Sequence, residues 1–180
     1  MVQPGSLAGY RAHEKFDELP SPNIAVARTD RVSGWLLVTA DGGMVSLGSG
    51  CVAVELATLR SIDKLPGFNT ADRDGNVRDF LHTSEHPFAL FHVIGAPVGP
   101  SPAGGAPARV RVTGMLELNG RIKPATFGLV VRLEGDQVAA AGSTVVAVQD
   151  YGIEVPQGAS GFVSVDPRIT LEISLVLLKR

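Results

Sequence analysis

Arg109–Gly120 reads RVRVTGMLELNG, and its alternation decides the fold. Val110, Val112, Gly114, Leu116 and Leu118 take every second position, against Arg109, Arg111, Thr113, Met115 and Glu117. Successive side chains of a strand point to opposite faces of a sheet, so a period of two marks a strand with one buried face. Asn119-Gly120 closes the run, and both residues tolerate the positive φ of a tight hairpin. The returning run puts Phe127, Leu129, Val131 and Leu133 on one face and Arg132 on the other, ending at Glu134-Gly135-Asp136. Val138–Val148 predicts a third strand. Ile169–Leu177 has the cleanest alternation, setting Ile169, Leu171, Ile173, Leu175 and Leu177 against Thr170, Glu172 and Ser174.

The upstream half follows the same period. Leu7–Phe16 predicts a first strand, and Ile24–Ala40 one long or bent strand. Met44–Leu47 and Cys51–Leu59 follow, with turns expected at Asp41-Gly42-Gly43 and Gly48-Ser49-Gly50. Val52, Val54 and Leu56 face one way and Glu55 the other. Gly95–Pro107 reads as a hairpin loop rather than a domain boundary. One helix interrupts the strands: Thr70 can cap its start, Asp72 and Asp74 suit its positive end, and Val77, Phe80 and Leu81 form one apolar stripe. The expectation is all-β: one domain over residues 1–180, an antiparallel barrel or sandwich of about eight strands, with one short amphipathic helix between strands covering an end or face.

Composition limits the function classes. The 180 residues carry 16 Lys+Arg and 18 Asp+Glu, a net charge of −2, which lacks the basic excess of a nucleic-acid partner. A 44% apolar share supports a sizeable core, and the single Cys51 excludes an internal disulfide framework. The 21 Gly and 12 Pro mean frequent turns, and 6% aromatics leave few large rings to fill the middle of a barrel. No apolar run approaches the roughly 20 residues of a membrane-spanning helix. The chain as given shows no signal peptide at Met1–Leu7.

Chemical motifs are weak. Gly48-Ser49-Gly50-Cys51-Val52-Ala53 matches a GxGxxA fingerprint, but the strand pattern that follows denies the pyrophosphate a helix N-terminus, so a Gly-rich turn is the better reading. Asp72, Asp74 and Asn76 mimic a calcium loop but meet Val77 and Thr83 where Gly and Glu are required, so helix capping and surface charge account for the acids. His82, His86 and His92 lie near Asp79 and Glu85; Pro87 stops any helix there, and a polar rim explains them better than a metal site. No GxSxG nucleophile elbow occurs, and Cys51 reads as a small core residue. An eight-stranded barrel is just wide enough to be filled by side chains or to hold one slender ligand. Alternation leaves both readings open.

Three further stretches carry a resemblance. Asn69–Leu81 (NTADRDGNVRDFL) followed by His86–Phe91 (HPFALF), Gly114–Pro124 (GMLELNGRIKP), and Asp150–Ile153 (DYGI) resemble, in order and spacing, the YceI-like family of lipid-binding barrels. Val54–Leu59 (VELATL) is similar to a family strand with Glu in place of Asp, and Glu117 departs from a usual Thr. The resemblance implies a lipocalin-like antiparallel barrel with an elongated apolar pocket for a polyisoprenoid, isoprenoid-quinone or fatty-acyl chain. It brings no catalytic residue, metal or cofactor other than such a bound lipid. Homodimers are common in the family, and bacterial members are often exported to the cell envelope or membrane-anchored. The start of the similarity near Pro4 fits either a trimmed anchored protein or a cytoplasmic member.

The expected function is therefore non-enzymatic lipid binding for transport or storage. Its expected ligand-binding residues are Trp35, Val52, Val54, Leu56, Phe80, Leu81, Phe88, Phe91, Val112, Leu116, Phe127, Leu129, Leu171 and Ile173, with Phe80, Leu81 and Phe88 at the mouth. The alternative is a filled barrel acting as a protein–protein interaction module. An enzyme using His82, His86 and Asp79 ranks third.

Overall fold

The computed structural model describes residues 1–17, 22–41, 44–64, 67, 69–100, 106–156 and 163–178. Its strands are β1 (Leu7–Phe16), β2 (Asn23–Thr29), β3 (Val32–Asp41), β4 (Met44–Glu55), β5 (Arg60–Ser61), β6 (Phe88–Val93), β7 (Ala96–Pro100), β8 (Ala108–Leu118), β9 (Arg121–Glu134), β10 (Gln137–Ala147), β11 (Val163–Val165) and β12 (Arg168–Leu178). A helix, α1, spans Thr70–Phe80. All pairings among the described strands are antiparallel and run β3-β4-β6-β8-β9-β10-β12-β1-β2-β5, with β7 added to β4 and β11 to β1.

The path curls because β2 and β3, near its two ends, are neighbouring segments separated only by Asp30-Arg31. They form the bent strand that the sequence predicts between Ile24 and Ala40. One half pairs with β1 through Ala8↔Thr29 to Glu14↔Asn23, and the other with β4 through Val32↔Val54 to Asp41↔Met44. Beyond the start of β1, Met1–Gln3 continues the seam: Val2 N donates to Gly34 O at 3.0 Å and Gln3 N to Val176 O at 2.8 Å. The antiparallel, lipocalin-like all-β architecture is as expected.

The β8–β9 hairpin has the expected register, Leu118↔Arg121 around Asn119-Gly120, with φ of 51° and 67° at the two turn residues. Val110, Val112, Gly114, Leu116 and Leu118 are all buried. Alternation thus becomes an inward face, and most of the buried apolar residues form one cluster centred on it.

Three local expectations are corrected. Gly48-Ser49-Gly50 is not a turn but lies inside β4. Glycine is needed there because β3 passes so close: a Cβ on Gly50 would sit 2.7 Å from Trp35 O and 2.5 Å from Leu36 Cδ2, beside a register shift between Leu36 and Val38. Gly95–Pro107 is not all loop, since β7 pairs with Met44–Leu47; residues 101–105 lie outside the described residues. The α1 N-cap is Asn69, whose side chain accepts from Ala71 N, rather than Thr70. The turn expected at Asp41-Gly42-Gly43 includes Gly42 and Gly43, which also lie outside the described residues, while Asp41 and Met44 pair across it.

Candidate functional site

A cavity of about 230 Å³ lies between the barrel wall and α1. Val77, Phe80 and Leu81 cover it from the helix side; Ala8, Tyr10 and Ala12 of β1 and Leu116 and Leu118 of β8 are among its walls. Deeper in the barrel is a second chamber of about 60 Å³; the described residues that line it are all apolar and include Leu36, Val112, Leu129, Ala140 and Leu175. Such a void stays dry. Left unfilled, it costs about 1.4 kcal/mol at roughly 24 cal/mol per Å³.

Val52, Val54, Leu56, Phe80, Leu81, Phe91, Leu116, Phe127, Leu171 and Ile173 are brought together around the larger chamber. Val112 and Leu129 line the smaller one. Trp35, expected against the ligand, and Phe88, expected at the mouth, are 45% and 48% exposed and border neither chamber. The reason is parity. On β6, Ala89, Phe91 and Val93 face inward, so Phe88, three residues from Phe91, must face out. On β3 the inward residue is Leu36, which lines the smaller chamber and leaves Trp35 outside.

The polar end of the cavity is the part sequence reasoning missed. Arg73 projects from α1 to Glu14 Oε2 of β1 at 3.2 Å and to Asp63 Oδ1 at 2.5 Å. Asn23 Nδ2 also donates to Glu14 Oε2, at 3.2 Å. The next residue, Asp74, is buried and accepts from Ser61 N at 3.0 Å and Ser61 Oγ at 2.6 Å. Asp74 is thus no surface or capping acid; it fastens the helix to β5. The helix is apolar toward the barrel only in its last turn, and earlier its inward side chains are ionic.

Burial by itself would raise the Asp63 carboxyl, but the Arg73 hydrogen bond, the Val26 amide and the Arg73 charge outweigh it and hold the group below its ordinary 3.8. Burial pushes the Tyr10 hydroxyl far above its ordinary 10, with Arg73 opposing and Glu14, Asp74 and Asp63 adding to the rise. Tyr10 therefore stays a neutral phenol beside Glu14 in the cavity wall. The only signal for this cluster was the Arg73-Asp74 pair on a helix with little apolar content.

His82 is structural. His82, at a φ of 47°, hydrogen-bonds through Nδ1 to Asn119 Oδ1 at 2.9 Å, and Asn119 Nδ2 donates to Tyr151 O at 3.0 Å. The β8–β9 turn thus ties the end of α1 to the 3₁₀ turn Val148–Tyr151, where Gly152 at a φ of 70° lets Ile153 return into the cavity wall. Among the described residues, no group of three or more His, Cys, Asp or Glu side chains is placed to hold a metal ion. Cys51 is half-buried in register with Trp35 and His92, opposite in direction to inward Val52, and so is not a core residue. Burial, with help from Glu117, raises its thiol and leaves it a poor nucleophile. Among the described residues, no helix is long and apolar enough to cross a membrane.

A family model described as the YceI-like domain matches residues 22–177. The chain belongs to the YceI-like family. Among solved structures, this YceI-like chain is similar to a polyisoprenoid binding domain from Saccharophagus degradans implicated in plant cell wall breakdown, at 16% identity and a TM-score of 0.67, covering 98% of this chain and 95% of that one. It is similar to Burkholderia cenocepacia BcnA at 18% identity and a TM-score of 0.65, covering 98% and 99%. The Campylobacter jejuni YCEI protein matches at 10% identity and a TM-score of 0.56, covering 93% and 84%. These likenesses establish the shared fold. No curated protein matches the chain.

Proposed function

We propose that this YceI-like protein binds one long apolar chain inside its barrel and carries or stores it without chemical change. The observation that carries the reading is the cavity of about 230 Å³, walled mostly by aliphatic and aromatic side chains, with Glu14 and Arg73 at its polar end, and roofed by Val77, Phe80 and Leu81. Each methylene moved from water into such a space contributes about 0.8 kcal/mol, so a long chain gains affinity without any directional contact. Polyisoprenoid, isoprenoid-quinone and fatty-acyl chains all fit that description. The polyisoprenoid binding named for the Saccharophagus degradans domain supports the first class. A filled barrel serving as a protein–protein module would need this volume occupied by side chains, and the hollow interior favours the ligand reading.

The test is organic extraction of the purified protein followed by mass spectrometry. A long-chain lipid in near-stoichiometric amount is expected. Finding no long-chain species, together with no stabilisation by added prenol or quinone, would overturn the reading.

A further inference from the structure

Resting on the binding reading above, we infer that Phe91 and Phe127, with Val52 and Ile173, form a septum that sets the length of chain the barrel accepts. Among the described residues, the two chambers share these four and no others. They lie at one level of the barrel. Val52 pairs directly with Phe91, the Phe91 and Phe127 rings meet edge to face with centroids 4.9 Å apart at 67°, and Ile173 closes the layer from β12.

The order of residues along each strand places one chamber behind the other. On β12, Ile169 and Leu171 line the outer chamber and Leu175 and Leu177 the inner, with Ile173 between them. On β4, Val54 and Val52 lead inward to Leu47; on β9, Phe127 leads to Leu129, Val131 and Leu133.

Size decides what the septum must do. Ligand pockets hold about 300 Å³ or more; the outer chamber of about 230 Å³ falls short of that, and the inner one of about 60 Å³ brings the total to just about that size. The inner chamber, in line with it and lined among the described residues by apolar side chains alone, is the space a longer hydrocarbon would take. Phe91 packs directly over the bare backbone of Gly114, where a Cβ would come within 2.7 Å of Phe91 Cζ, so glycine at that position is what lets the ring lie across the barrel at this level. A short chain stops at the septum. A long one parts the rings and fills the inner chamber.

The experiment compares decanol and hexadecanol in wild-type protein, Ala140→Leu and Phe127→Leu, by competition native mass spectrometry. Ala140 lines only the inner chamber, so leucine there fills it and leaves the outer one intact. Ala140→Leu is expected to weaken hexadecanol about tenfold, the worth of roughly two buried methylenes, with decanol unchanged. Phe127→Leu is expected to shift the ratio toward hexadecanol. Leu133→Phe fills the same chamber from its less buried end and must give the same split as Ala140→Leu should the latter fail to fold. Hexadecanol binding that is unaffected by a filled inner chamber overturns the septum while leaving the binding reading intact, and so does an unchanged ratio in Phe127→Leu. Failure of wild-type protein to bind either alcohol overturns the binding reading and the septum with it.

Discussion

Arg73 shows how much one side chain can hold in place. Its guanidinium pairs with both Glu14 and Asp63, whose side chains are only 7% and 13% exposed. Arg73→Met leaves two buried carboxylates without a counter-charge, and a loss of about 3–5 kcal/mol is expected in urea unfolding. Asp63 gives this cluster a pH signature. Its native carboxyl titrates below the ordinary 3.8, so on acidification the unfolded chain takes up the proton first. Its contribution is therefore complete above about pH 4 and is lost as pH falls through the lower native value. The stability difference between wild type and Asp63→Asn, measured as urea midpoints, should shrink over that acid range. A difference that stays constant down to pH 2 would show that Asp63 is not held by Arg73. Beyond the Arg73-Asp74 pair, none of this was readable from the chain, because Glu14 lies far from Asp63 and Arg73 in sequence and meets them only when α1 docks. Alternation gave facing side chains correctly wherever a strand was regular. Trp35 and Phe88, named for the ligand site and its mouth, lie on the outer side of the parity set by Leu36 and Phe91.

At the scale of elements, α1 is a roof rather than a self-sufficient helix. Its eleven residues include Gly75 and few apolar groups, so its stability comes from the Asn69 cap, the Arg73 and Asp74 anchors and the His82–Asn119 link. Asn69→Ala is expected to cost about 1 kcal/mol and to speed amide exchange across residues 70–81 more than in the barrel strands. Equal protection in the variant would argue against the cap. The β3–β4 pair makes the opposite point about glycine. Gly48-Ser49-Gly50 carries the composition of a turn, yet its role is to let two backbones approach, and sequence composition alone does not separate these uses. Gly50→Ala is expected to destabilise the protein by about 1–3 kcal/mol, because the added Cβ would press on Trp35 O and Leu36. A neutral result would mean that the β3–β4 spacing is wider than described.

For the whole molecule, a curled antiparallel sheet was legible because alternation recurs from Leu7 to Leu178, and its curl because the predicted bent strand supplies β2 and β3 near the two ends of the path. The hollow was not. Alternation tells which way a side chain points but not how far it falls short of its neighbour across the barrel, and the low aromatic content only hinted at the gap. An occupant that fills the gap binds the folded state alone, so saturation a hundredfold above Kd should raise stability by about 2.7 kcal/mol. Location is the sharper question, since Trp35, Leu37 and Ile94 also expose apolar surface on the outside. Photo-crosslinking with a long-chain alcohol bearing a terminal diazirine, mapped by peptide mass spectrometry, separates the two places. Label on inward residues such as Leu116, Phe127 and Ile173 is expected; label confined to Trp35, Leu37 and Ile94 would contradict binding inside the barrel.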